Sequence, residues 1–144
     1  MIKEIKNHSE RMAKAIKNSK TIFRLSVQEL KQKNNIADWE EIIGNNDYNC
    51  ILCSSEIFGL IENLNCFKPL SLELNQSNVF KKNGILNERF FIYTDIYLPG
   101  KYALILDEKK LLNTELELNC NLVVLNGMEV YYDKIREVID APGF

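Results

Sequence analysis

Residues 79–106, VFKKNGILNERFFIYTDIYLPGKYALIL, constrain this chain more than any other stretch. They combine the densest run of β-branched and aromatic residues with two turn-forming dipeptides, Asn83-Gly84 and Pro99-Gly100. Residues 90–94 carry apolar side chains at positions of both parities, so a strand there must be covered on both faces. Asn83-Gly84 suits a tight hairpin turn. Pro99-Gly100 suits the two central positions of a type II turn, and residues 102–106 read as the antiparallel strand returning from it. Helices must then cover the sheet, which predicts an α+β fold with a mixed or antiparallel sheet.

The rest of the chain supplies those helices. Residues 2–18 place Ile2, Ile5, Met12, Ala13 and Ile16 near one helical face and lysines on the other. A short strand follows at 21–25. Ser26 and Glu29 have capping-box spacing and start a helix to about Lys33. Asp38 can cap a helix over 39–43 that Gly44 closes. Residues 48–53 read as a strand apolar on both faces, and Ser54 as the N-cap of a helix ending near Asn65. Residues 67–74 read as extended, and 107–110 as a charged turn. From 115 to 124 apolar and polar residues alternate, which predicts a half-buried strand with one wet face. Asn126-Gly127 predicts a hairpin to a partner strand over 128–132. Pro142-Gly143 ends a short element at 134–139.

At 144 residues the chain suits one domain, with a basic helical segment at 1–44 and an α+β body at 45–144. Its charge is unevenly spread. Residues 1–33 hold nine Lys/Arg against three acids, whereas the remainder holds nine against seventeen. Such a split suits either contact between copies or a helix facing nucleic acid. The apolar runs are far too short to cross a membrane, and no secretory h-region follows the N-terminal charges. Cys50 and Cys53 have C-x-x-C spacing but sit on a strand, where residues three apart face opposite ways. All four cysteines read as reduced and structural, which implies an intracellular, reducing setting.

Catalytic patterns are missing. His8 is the sole histidine. Ser54 and Ser55 occupy a strand-to-helix turn but lack the flanking glycines of a nucleophile elbow, so capping is the expected role. No glycine-rich phosphate loop occurs. Asp95 with Asp107, Glu108 or Asp133 lacks cation-ligand spacing. Phe90, Phe91, Tyr93, Tyr97 and Tyr102 read as core rather than as a base-stacking platform. No enzymatic activity and no cofactor is expected.

A family resemblance goes further. Asn49-Cys50-Ile51-Leu52-Cys53-Ser54-Ser55-Glu56-Ile57 is similar to the strand–helix step of tailed-bacteriophage major capsid proteins. There, Asn leads three apolar residues, a small residue and Ser, then Glu or Asn before a β-branched residue. Residues 79–106 resemble the same family's next segment, with Gly84, Leu86, Arg89, Phe90, Tyr93, Asp95, Tyr97 and Tyr102 in matching order. Residues 139–144 resemble its short Pro-containing tail. Three features depart from the family. Glu88 stands where it has Gly, residues 106–109 replace a Gly-Tyr-Lys-Gly, and its Pro-Tyr-x-Pro strand is not visible. The match is best over 49–106 and corresponds to the C-terminal peripheral and axial domains of a longer coat protein.

The resemblance implies a structural, self-assembling shell subunit, found in the virion or the host cytoplasm. Its partners would be further copies, in hexamer or pentamer rings, and other capsid subunits. Lys3, Lys6, Arg11, Lys14 and Lys17 on the basic helix, and the Asn83-Gly84 and Pro99-Gly100 turns, are the expected interface residues. A small intracellular regulatory protein that binds nucleic acid through the basic helix is the alternative.

Overall fold

The computed structural model describes residues 2–33, 39–40, 47–70, 80–113 and 117–127. The expected elements at 128–132 and 134–139, the Pro142-Gly143 stop and most of the 39–43 helix lie outside the described residues. The described elements are α1 (Ile2–Lys17), β1 (Ile22–Ser26), α2 (Val27–Lys31), β2 (Cys50–Cys53) and α3 (Ser55–Ile61). There follow β3 (Phe67–Pro69), β4 (Phe80–Leu86), β5 (Phe90–Asp95), β6 (Tyr102–Leu106), α4 (Glu108–Leu112) and β7 (Asn121–Asn126).

The strands form one seven-stranded mixed sheet in the order β1-β7-β6-β2-β5-β4-β3. Strand β2 is the middle strand, parallel to β5 on one side and antiparallel to β6 on the other. All four of its residues are buried. The two-residue period of a strand divides them between two cores. Ile51 and Cys53 point into one with Ile57, Leu60 and Ile61 of α3, Leu30 of α2 and Trp39. Cys50 and Leu52 point into the other with Met12 and Ala15 of α1 and Leu111 of α4. The result is an α+β body of helix, sheet and helix layers. The basic N-terminal segment belongs to it, since α1 covers one face and β1 pairs in parallel with β7.

Among the described residues both edges of the sheet are blunted against further pairing. Strand β3 is three residues long and ends on Pro69, and β1 carries the exposed Arg24 at its centre.

Several expectations need correction. Asn83-Gly84 is not a turn but lies inside β4, at a register shift between Lys82 and Gly84. Gly84 is needed there because Phe67 packs over it. A Cβ at Gly84 would stand 2.4 Å from Phe67 Cζ and 2.5 Å from the Lys68 carbonyl oxygen. The β4–β5 turn is instead Asn87-Glu88, with φ of 53° and 60°, closed by Arg89 N–H donating to Leu86 O. Strand β6 does not return beside β5, because β2 lies between them. The Tyr102 N–H donates to Pro99 O, which puts Pro99 at the first position of its turn rather than the second.

Residues 117–120 lie outside any strand, and residues 121–125 of β7 are all buried rather than alternating. Strand β7 lies between β1 and β6 under both cores, which removes the expected wet face. Residues 107–110 are not a turn but the cap and first turn of α4, with Asp107 Oδ1 accepting from Lys109 N. On α1 the buried face runs through His8, Met12 and Ala15, spaced four and three apart, and leaves Ala13 exposed.

Gly84→Ala is expected to destabilise the fold by about 2 kcal/mol, the middle of the range for overpacking a filled site. The reading is a lower urea midpoint with an unchanged slope. An unchanged midpoint would mean that Phe67 does not pack over this glycine.

Candidate functional site

The two polar residues of the Asn49…Ser54 motif bracket β2. Asn49 Oδ1 accepts from Glu108 N at 2.8 Å, and Asn49 O accepts from Phe91 N at 2.9 Å. One residue therefore ties the start of β2 to both α4 and β5. At the other end Ser54 Oγ accepts from Ile57 N at 3.1 Å, capping α3, and donates to Gly100 O at 2.8 Å. Ser54 is fully buried and spent on these bonds, as expected of a cap and not of a nucleophile.

The C-x-x-C spacing does not bring its two thiols together. Cys50 and Cys53 point into different cores. Burial raises both pKa values, and Glu108 pushes Cys50 further in the same direction. Burial also raises Cys120, against a hydrogen bond with Ser19. All four cysteines are free, and Cys66 is only half-buried.

The remaining polar groups on the α1 side fasten elements together. His8 Nε2 lies 2.5 Å from Asp95 Oδ2, with the residues 7% and 2% exposed. Asp95 Oδ1 accepts from Tyr97 N. The imidazole stacks on Phe80 at 5.5 Å and meets Tyr97 at 6.0 Å. A second fastening joins Tyr93, Glu108 and Lys82. The Tyr93 hydroxyl donates to Glu108 Oε2 at 2.8 Å, and Lys82 Nζ lies 3.1 Å from the same oxygen. Asp95 and Glu108 thus face cations or donors rather than one another. Among the described residues no group of three or more His, Cys, Asp or Glu side chains could hold a metal ion. Phe90 and Tyr93 sit on opposite faces of the sheet, so the aromatics form no single platform.

The residues expected at an interface separate into three groups. Arg11 turns inward. Its guanidinium donates to Leu111 O, Lys110 O and Asn113 O at 3.0, 2.5 and 2.8 Å, serving the unsatisfied carbonyls at the end of α4. Burial lowers its pKa from the ordinary value. This guanidinium is therefore committed within the chain. Asn83 and Gly84 are strand residues, with Asn83 Nδ2 donating to Thr94 Oγ1 and Lys81 O.

Lys14 and Lys17 do face solvent near the end of α1, and Lys3 and Lys6 fall on its first turns. Pro99 is exposed beside the half-buried Gly100. Their turn also presents Ile96, which is 70% exposed and which the sequence did not single out. Its only signal was an apolar residue between Asp95 and Tyr97, indistinguishable from a core position by pattern. Helix α1 runs from the Asp95 end of the sheet, where His8 is held, to the Cys120 end, where Ser19 meets Cys120. Lys14 and Lys17 therefore lie toward the opposite end from the 96–101 turn.

No protein-family model, curated protein or solved structure matches this chain. Among the described residues no helix is long and apolar enough to cross a membrane.

His8→Ala leaves the Asp95 carboxylate buried without its imidazole and is expected to cost about 3 kcal/mol in chemical denaturation. Lys14→Ala, on the exposed side of the same helix, should stay within about 0.5 kcal/mol of the parent. Equal and negligible effects would mean that the His8–Asp95 pair does not anchor α1.

Proposed function

We propose that this chain is a structural subunit of a self-assembling viral shell, of the tailed-bacteriophage coat-protein type. It would supply the peripheral and axial part of such a subunit, in the virion and, before assembly, in the host cytoplasm. One observation carries the reading. The two stretches that resemble the family are separate in sequence, yet they form adjacent parallel strands, β2 and β5, at the centre of one sheet. The motif residues Asn49 and Ser54 fasten the two ends of β2.

A departure from the family supports the same reading. Glu88, which stands where the family has Gly, has φ of 60°, a conformation that glycine adopts without steric cost. The backbone at this position suits the family's residue better than the one present. Shell assembly also suits the placement of the exposed candidates. Rings form through heterologous contacts, which need two different patches on each copy. Lys14 and Lys17 of α1 supply one such patch, complementary to the acidic excess of residues 34–144, and the Ile96–Pro99 turn, toward the other end of the sheet, presents a further exposed surface.

Sedimentation velocity over a range of protein and salt concentrations tests the proposal. Faster-sedimenting rings are expected at high protein and low salt, dissociating as salt screens the contact. Reversing charge in Lys14→Glu/Lys17→Glu should weaken association at least tenfold. A chain that stays monomeric throughout would refute it.

A further inference from the structure

An open polar cleft of about 390 Å³ lies at the end of the sheet away from the 96–101 turn. It sits where β1, β7 and β2 begin and β6 ends. Three lysines line it: Lys20, just before β1, and Lys109 and Lys110 of α4. None of the three takes part in an ion pair among the described residues. Like charges gathered at one hollow repel one another and attract an anion that enters.

The walls add neutral donors. Tyr48 lines the cleft, and its hydroxyl, which is not closed off from solvent, has no hydrogen-bond partner among the described residues. Burial, with a smaller push from Cys120, raises its pKa and keeps it a neutral O–H donor. Asn49 also lines the cleft. Its Oδ1 must face Glu108 N–H, which fixes the amide orientation and leaves Nδ2 to donate. Asn119 stands nearby on the exposed side. Two carboxylates share the cleft. Asp107 is committed by one oxygen to capping α4, and Asp47 lies on the loop before β2.

From three lysines without an ion pair among the described residues, gathered with the free Tyr48 hydroxyl at one cleft, we infer that the cleft binds a phosphate group, either free or carried on a nucleotide or nucleic-acid chain. A carboxylate would offer two oxygens and one charge. A phosphate offers at least three acceptor oxygens and up to two charges, so it can meet the three lysines and the neutral donors together, with Asp47 and Asp107 offsetting part of the lysine charge. The site does not depend on the shell reading, because it uses neither the 96–101 turn nor the exposed side of α1.

Nuclear magnetic resonance titration of the full chain at low salt tests this, with inorganic phosphate in one arm and a short single-stranded deoxyoligonucleotide in the other. Phosphate is expected to shift the side-chain amides of Asn49 and Asn119 and the backbone amides of 107–110. Lys20→Gln/Lys110→Gln should weaken binding by about tenfold or more, since two charge-assisted contacts are lost. Lys14→Gln/Lys17→Gln, with the same change in net charge, should stay within about twofold, well inside one such contact. An oligonucleotide that competes with phosphate at these amides identifies the carried group as the ligand. An oligonucleotide that leaves them unmoved identifies the free anion. No shift at these amides with millimolar phosphate, or equal weakening in both double variants, would overturn the inference.

Discussion

Strand β2 is four residues long, and the rest of the structure hangs on it. Its side chains alternate between the two cores, so each helical layer packs against the same short segment. Its backbone joins a parallel partner on one side and an antiparallel partner on the other. Because the side-chain period is two, a slip of one residue would exchange Ile51 and Cys53 for Cys50 and Leu52 and unmake both cores together. Asn49 and Ser54 prevent that slip by bonding each end of the strand to elements far along the chain, at Glu108 and Gly100. These two side chains hold a register.

The local elements were legible because their signals are local. The capping box at Ser26 and Glu29, the Ser54 cap and the opposed faces of Cys50 and Cys53 follow from spacing alone, and each is present. Pairing between strands was not legible. Asn83-Gly84 has the composition of a hairpin turn, but its glycine is required by Phe67, a residue seventeen positions away that no local window includes. Adjacent strands in sequence were expected to pair, yet β2 separates β5 from β6, parallel to the first and antiparallel to the second. The alternation over 115–124 implied a wet face, but β7 packs Val123 and Leu125 into one core and Leu122 and Val124 into the other.

Charge was legible in amount but not in direction. The basic excess of the N-terminal segment is real, but Arg11 is spent inside the molecule on the carbonyls of α4. Lys14 and Lys17 remain outside, and Lys20 joins two lysines of α4 across a cleft. A composition count cannot distinguish these three fates, because each depends on which side of α1 a residue falls and what lies opposite. The same limit hid Ile96, an apolar side chain among core residues in sequence and the most exposed large apolar residue among those described.

The central claim is that this body is built to join copies of itself. Electron microscopy of the concentrated chain at low salt, alone and mixed with subunits of a tailed-phage shell, tests that most directly. Closed rings or shell fragments of uniform diameter that contain the chain are expected. Dispersed single particles in both samples, with the chain absent from the shells that form, would contradict it.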